Sequence, residues 1–227
     1  MKVLALDTST SCLSAALVKD RQTVCEINLQ VKTGHAGMVL PVIDEVLRRA
    51  DTPRDEIELI AVGTGPGSFT GLRIGIATAK GLAGALGCRL VGVPTLDTLA
   101  HAAVPSYLPI MPVVDAKKGE IFCCRYDEHG SRFSGYMNLK PDEVVVMVKD
   151  ETLFMGNGCE LYREAFIKGM GRRYHESAIH LWNPRASVLA AIALDMPPGG
   201  RTTDVLPIYA RESDAALLLE RSGRKTL

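Results

Sequence analysis

The 227 residues carry 26 basic and 26 acidic side chains, a formal net charge of zero. A protein that gripped RNA unaided would show a basic excess, so autonomous nucleic-acid binding is disfavoured. Hydrophobic residues at 47% and charged residues at 23% suit a buried core in one large domain or two small ones, and no run approaches the ~18 apolar residues of a membrane span.

The chain opens on Lys2–Asp7, a buried strand ending in aspartate. Cys12–Val18 and Val24–Leu29 pair as a hairpin across the polar turn Lys19-Asp20-Arg21-Gln22. Between residues 36 and 50, Met38, Val39, Val42, Ile43, Val46 and Leu47 fall on one stripe at period 3.6, which predicts an amphipathic helix. Ile57–Val62 is the next strand. It runs into the glycine loop Gly63-Thr64-Gly65-Pro66-Gly67 and then a helix over Leu72–Leu86, with Ser68 or Thr70 placed as cap. Free amides and the helix dipole make such a junction able to hold an anion. It is no Walker loop, however, because no Lys-Ser/Thr pair follows the last glycine. Nor is Ser68 in a nucleophile elbow, since G-P-G-S-F-T-G is not G-x-S-x-G. Arg89–Val93 and a short helix from Thr95 to Ala103 complete the first unit.

Val104-Pro105-Ser106-Tyr107-Leu108-Pro109 is the expected boundary, giving units at 1–104 and 105–204 with residues 205–220 crossing back to the first. After it the strand-hairpin pattern restarts, with Ile110–Val114, Glu120–Tyr126 and Phe133–Asn138 as strands and Val144–Val148 as a further element. Glu160–Lys168 and Ser187–Leu194 read as helices, the second opened by Asn183-Pro184. Each half therefore begins with a strand ending in aspartate, Asp7 or Asp115, followed by a hairpin. This is an α/β fold of two duplicated units, the second short and expected to have lost helices. Residues 221–227 form a solvated basic tail.

Six cysteines at 12, 25, 88, 123, 124 and 159 contain no C-x-x-C pair. With an opening MKVLALDTS that lacks a secretory pattern, they suit free thiols in a reducing cytoplasm. No H-x-x-x-H or H-E-x-x-H pair exists, so a metal site has no local scaffold. Asp7, Thr8, Ser9 and Thr10 supply a carboxylate and hydroxyls suited to phosphate. The matching stretch, Asp115 to Lys117 and Lys118, lacks the glycine or serine that lets backbone close on one. Gly71, Gly75, Thr78, Ala79 and Leu82 fall near one helix face, where small residues admit another helix. Each glycine there costs about 1 kcal/mol in helix propensity.

The same stretches carry a resemblance. Gly65-Pro66-Gly67-Ser68-Phe69-Thr70-Gly71-Leu72-Arg73-Ile74-Gly75 resembles the signature of the bacterial TsaB/YeaZ family. Leu4–Ser9, His35 with Leu40–Asp44, Pro94–Asp97, Val114–Glu120 and Pro207–Arg211 follow in that family's order, from residue 1 to about 215. The resemblance implies two RNase H-like subdomains of the actin, Hsp70 and sugar-kinase (ASKHA) type. It implies a non-catalytic subunit of the assembly that transfers threonylcarbamoyl to the adenosine beside the anticodon of tRNAs reading codons that begin with A. Its partners would be a TsaD-like catalytic subunit and a TsaE-like ATPase, with tRNA met only through the complex. Partner and self-association would use the two helices bearing His35, Met38, Val39, Val42, Ile43, Val46, Gly71, Gly75, Thr78, Ala79 and Leu82. Asp7, Thr8, Ser9, Thr10, Asp115 and Lys117 would be vestigial phosphate contacts. No cofactor is expected on the chain alone, and ATP or ADP only at the interface of the complex. An autonomous ATPase or kinase would need Asp7 and Asp115 to act on one Mg-nucleotide. A peptidase would need a histidine pair where the chain has His35 and then Val39.

Overall fold

The computed structural model describes residues 1–31, 34–197 and 204–210. They build two five-stranded mixed sheets. In the first, β1 (Lys2–Asp7), β2 (Cys12–Lys19) and β3 (Gln22–Gln30) form an antiparallel meander. β4 (Leu59–Gly63) and β5 (Arg89–Val93) extend it in parallel on the other side of β1, giving the order β3-β2-β1-β4-β5. The second sheet repeats the plan with β6 (Ile110–Lys117), β7 (Glu120–Cys123), β8 (Met137–Leu139), β9 (Thr152–Met155) and β10 (Tyr174–Glu176), in the order β10-β9-β6-β7-β8.

Helices fall at matching places in the two repeats. α1 (Val39–Arg49) joins β3 to β4, α2 (Phe69–Leu86) joins β4 to β5, and α3 (Thr95–Ala102) follows β5. α4 (Pro141–Met147), α5 (Gly158–Met170) and α6 (Ala186–Asp195) stand in the same relation to the second sheet. The second unit has therefore lost no helix, contrary to the sequence-based expectation, although α4 and α5 are shorter than α1 and α2. Val144–Val148 is the end of α4 with its extended C-cap residue, and of the strand expected at Phe133–Asn138 only Met137 and Asn138 are regular, at the start of β8. The short strands β9 and β10 have no counterpart in the sequence reading.

Central strands buried on both faces need apolar residues throughout, and β1 and β2 have them. Leu4 and Leu6 point to a core shared with Val42, Ile43 and Val46 of α1 and Ile76 and Ala79 of α2. Val3 and Ala5 point the other way, to Leu189, Ala190 and Ala193 of α6. So α6, placed by chain order in the second unit, covers the first sheet. The converse holds for α3, whose Leu96, Leu99 and Ala100 pack on Ile110, Val114 and Phe122 of the second sheet. The opposite face of that sheet is closed by α4 and α5. Cys123 and Cys124 lie in these two different cores, one on each face. The layers run α1–α2, first sheet, α6 with α3, second sheet, α4–α5.

The N-terminus of α6 is not set by Asn183-Pro184. Its cap position is Arg185, and the β2–β3 hairpin supplies the acceptors instead. Ser14 Oγ takes the Ala186 N–H at 2.8 Å, and Glu26 takes the N–H (3.0 Å) and Oγ–H (2.8 Å) of Ser187. Arg185 pairs with the same carboxylate. Burial alone would raise the Glu26 carboxyl, but Arg185 and Ser187 outweigh it and hold it below the ordinary carboxylate value.

Candidate functional site

The loop leaving β1 is the first place to look for anion chemistry. Asp7 is fully buried, and its Oδ1 accepts from the N–H of Ser9 at 2.8 Å and its hydroxyl at 2.6 Å. Thr95 Oγ1 lies 3.3 Å from Oδ2. Burial pushes the Asp7 carboxyl up, and the Ser9 and Thr95 hydrogen bonds only partly oppose it. Thr8 Oγ1 donates to the Gly71 carbonyl at 2.7 Å, and Thr10 Oγ1 accepts from the Cys12 N–H at 3.1 Å. The Thr10 carbonyl meets His35 Nε2 at 2.8 Å. Asp7, Thr8, Ser9 and Thr10 thus come together, but with these groups turned inward on the protein.

The start of α2 is filled in the same way. Ser9 O accepts the Ser68 N–H at 2.7 Å, and Ser68 Oγ caps the helix by accepting from Gly71 N–H at 3.2 Å. A Cβ at Gly71 would overlap the Thr8 carbonyl, and one at Gly75 would overlap the Thr8 hydroxyl. These glycines admit the β1–β2 loop against the helix. What the sequence suggested as an anion cradle is occupied by the chain's own backbone.

The loop leaving β6 is more open. Lys117 N–H donates to Asp115 Oδ1 at 2.8 Å, and the Lys117 ammonium stands 2.7 Å from Oδ2. Asn157 Oδ1 takes the Asp115 N–H at 3.0 Å. Lys117, Lys118 and Gly119 turn the hairpin with φ of 62°, 58° and 78°. Asp115, Lys117 and Asn157 face Ser11 and Gln30 of the first unit across a cleft of about 470 Å³. On the cleft's α5 side, Arg163 pairs with Glu176 at 2.6 Å and lies over the Trp182 ring. The cations at this cleft are already matched by carboxylates. Among the described residues no three His, Cys, Asp or Glu side chains gather as a metal set.

The helix face expected to meet a partner needs correction. Val39, Val42, Ile43 and Val46 are buried in this protein's own core, as are Gly71, Gly75 and Ala79, and His35 is covered by the loop it holds. The α1 stripe is consumed by the first sheet, and the glycines by Thr8. Of the expected set, Met38 is exposed, and Thr78 and Leu82 are half-buried.

The face that α2 does leave open is turned from the expected one. It runs through Thr70, Arg73, Ala77, Gly81 and Gly84, spaced three or four apart. A Cβ at Gly81 or Gly84 would meet nothing within 4 Å. At its N-terminal end Phe69 and Tyr209 stack with centroids 5.2 Å apart. The Arg73 guanidinium lies 3.7 Å over the Phe69 ring and its Nε donates to the Tyr209 hydroxyl at 3.2 Å. Tyr209 arrives on the returning segment, fixed where Ile208 N–H donates to the Thr64 carbonyl at 2.7 Å. Residues 211–220 of the expected crossing and the 221–227 tail lie outside the described residues. One sequence signal for this open face existed, two glycines in mid-helix at 81 and 84 with no turn to explain them.

Comparisons with known proteins agree on one lineage. A family model described as TsaD, tRNA N6-adenosine threonylcarbamoyltransferase, matches residues 29–188. The chain is 31% identical to the tRNA threonylcarbamoyladenosine biosynthesis protein TsaB of Escherichia coli (strain K12), over 95% of this chain and 96% of that protein. It is 28% identical to the TsaB protein of Bacillus subtilis (strain 168), again over 95% and 96%. The solved structure of YeaZ from Pseudomonas aeruginosa superposes with a TM-score of 0.75 at 28% identity, covering 92% of this chain and 99% of that one. A chain of the PilM-PilN type IV pilus biogenesis complex shares the fold alone, with a TM-score of 0.53 at 9% identity.

Proposed function

The chain belongs to the TsaB/YeaZ family, and on that premise we propose that it serves tRNA threonylcarbamoyladenosine biosynthesis as a required subunit without chemistry of its own. The observation that carries this reading is the β1–β2 loop. An enzyme of this two-unit fold needs that loop free to face a phosphate, and here Thr8, Ser9 and Thr10 are bonded into the protein beneath α2. The lysine at the facing loop is held by Asp115. An autonomous ATPase or kinase would have to break most of these bonds to turn over.

The subunit's task on this reading is to dock. The open face of α2 offers small residues for a close helix approach, with an aromatic and arginine cluster at one end of the kind that anchors interfaces. A TsaD-like catalytic subunit is its partner. A TsaE-like ATPase joins the assembly, ATP or ADP binds at the shared interface, and tRNA is met only through the complex. A homodimer through the same face would compete with that partner. No helix among the described residues is long and apolar enough to cross a membrane, in keeping with a cytoplasmic place of work.

The deciding experiment is tRNA threonylcarbamoylation by TsaD-like and TsaE-like proteins supplied with activated threonylcarbamoyl, with and without this chain. Modification that requires the chain, while the pure chain consumes no ATP, is the expected result. Full modification without it, or brisk ATP turnover by it alone, would return the loops at Asp7 and Asp115 to the centre.

A further inference from the structure

Three consecutive residues at the start of α3 hold both halves of the molecule. Thr95 is tied to the first unit by three hydrogen bonds. Its N–H donates to the Gly65 carbonyl at 2.7 Å, its Oγ1 accepts from the Gly65 N–H at 3.2 Å, and its hydroxyl reaches Asp7 Oδ2 at 3.3 Å. Asp97 is tied to the second unit. Its Oδ1 accepts from the Tyr126 hydroxyl at 2.5 Å and the Tyr136 hydroxyl at 2.9 Å. Arg132 stands 3.9 Å from the same oxygen and lies 4.4 Å over the Tyr136 ring. Between the two polar anchors, Leu96 is fully buried in the core of the second sheet.

Two-lobed proteins close a cleft by letting a few connecting residues absorb large changes in φ and ψ. Here a single extended residue, Pro94, separates β5 from α3, and the first turn of that helix is bonded on both sides. The return crossing is bonded too, through Ala186 to Ser14 and through Arg185 and Ser187 to Glu26. Burial, then the Asp97 charge, push both phenols far above their ordinary value, so each stays a protonated donor at any working pH.

We propose that Thr95 and Asp97 form a bolt that fixes the second unit on the first at one angle, holding the cleft between Ser11 and Asp115 at a single opening. Asp97 is the releasable half, because its carboxylate is partly exposed and all its second-unit contacts converge on one oxygen. Thr95 is the fixed half, sealed against Asp7. The bolt makes the chain a rigid frame: the docking face and the second unit are presented in one relative orientation, and the cleft does not close on an anion.

The test is a distance measurement between spin labels at Thr23→Cys and Glu164→Cys on the full chain, with Cys25 and Cys88 replaced by serine. The parent protein should give one narrow distance peak that millimolar Mg-ATP leaves in place. Asp97→Ala should broaden it to about twice the width while melting stays cooperative, as loss of two charge-assisted hydrogen bonds frees the second unit. Tyr136→Phe removes one donor without a cavity and should broaden the peak less; it decides the matter if Asp97→Ala fails to fold. A parent peak that is already broad, or that shifts with Mg-ATP, overturns the bolt. So does a folded Asp97→Ala protein, or in its absence a Tyr136→Phe protein, with a peak as narrow as the parent's.

Discussion

The two units run through the same strands and helices in the same order, and they use them differently. In the first, α2 has 18 residues and α1 has 11; their counterparts α5 and α4 have 13 and 7. β2 and β3 span 8 and 9 residues where β7 and β8 span 4 and 3. The loop after β1 is buried under its long helix, whereas the loop after β6 stands at the cleft with its lysines at positive φ. The first unit has given up its loop to seat α2 firmly and has kept an outward helix face that its own sheet does not need. In the second the helices are shorter, and the outward side chains they leave open are large apolar ones, Val146, Leu161 and Ile167. One framework occurs twice, and on the proposed reading docking falls to the first copy while the second supports it.

The sharpest way to break this comparison is at Gly71 and Gly75. Gly75→Leu places a side chain where the Thr8 hydroxyl lies, and Gly71→Ala drives a methyl into the Thr8 carbonyl. Overpacking against backbone should destabilise by about 3 kcal/mol or more, read as a lost or strongly lowered thermal transition. A folded Gly75→Leu protein that merely fails to bind a partner would restore this glycine to the interface and show that the loop can move away.

Next comes the open face. Gly81→Leu sits over open space, so the free chain should melt within about 1 kcal/mol of the parent. Binding to a TsaD-like partner should weaken about a hundredfold if a helix packs there, measurable by calorimetry. Undiminished binding would move the docking face off α2.

The first unit was largely legible in the sequence. Its strands are long, and Lys19–Gln22 marks a turn that nothing else explains. The second unit was less so, since β9 and β10 are three or four residues long and carry no period. Val144–Val148 is an apolar run too short to separate strand from helix. The exposed side of α2 differs by part of a turn from the side expected to be open, for a different reason. α2 is apolar or small on almost every side, so its sequence does not say which side faces the sheet. That is decided by Thr8, 63 residues away from Gly71 and bonded to its carbonyl. The role of Glu26 was equally hidden, because its partners Arg185 and Ser187 lie 159 and 161 residues on.

Glu26 tests the support side of the comparison. Glu26→Ala leaves Arg185 and the first turn of α6 without their shared acceptor, and should destabilise by about 2 kcal/mol. The pH dependence has a definite sign. The folded carboxyl lies below its unfolded value of about 4.3, so its contribution is present above that value and lost as pH falls through the folded one. The parent and Glu26→Ala melting curves should therefore converge in acid and diverge towards neutrality. Asp7, raised by burial, has the opposite sign: its contribution is full in acid and declines as pH rises through the folded value. An acid-side gap that persists for Glu26→Ala would mean the carboxylate's charge does not carry the cap.

The smallest effect separates a glycine needed by the fold from one needed only by a partner. Gly84 is exposed, has ordinary helical surroundings and faces open space. Glycine in a helix interior costs about 1 kcal/mol against alanine, and nothing within this chain returns it. Gly84→Ala should therefore stabilise the free protein by roughly that amount. A single methyl on a face meant for close helix contact should also weaken partner binding, by less than leucine at Gly81 does. Gain in one assay with loss in the other is the signature of a residue held by an external surface. If alanine destabilises the free chain, some contact within the protein claims that space, and the outward face of α2 is not idle in the monomer.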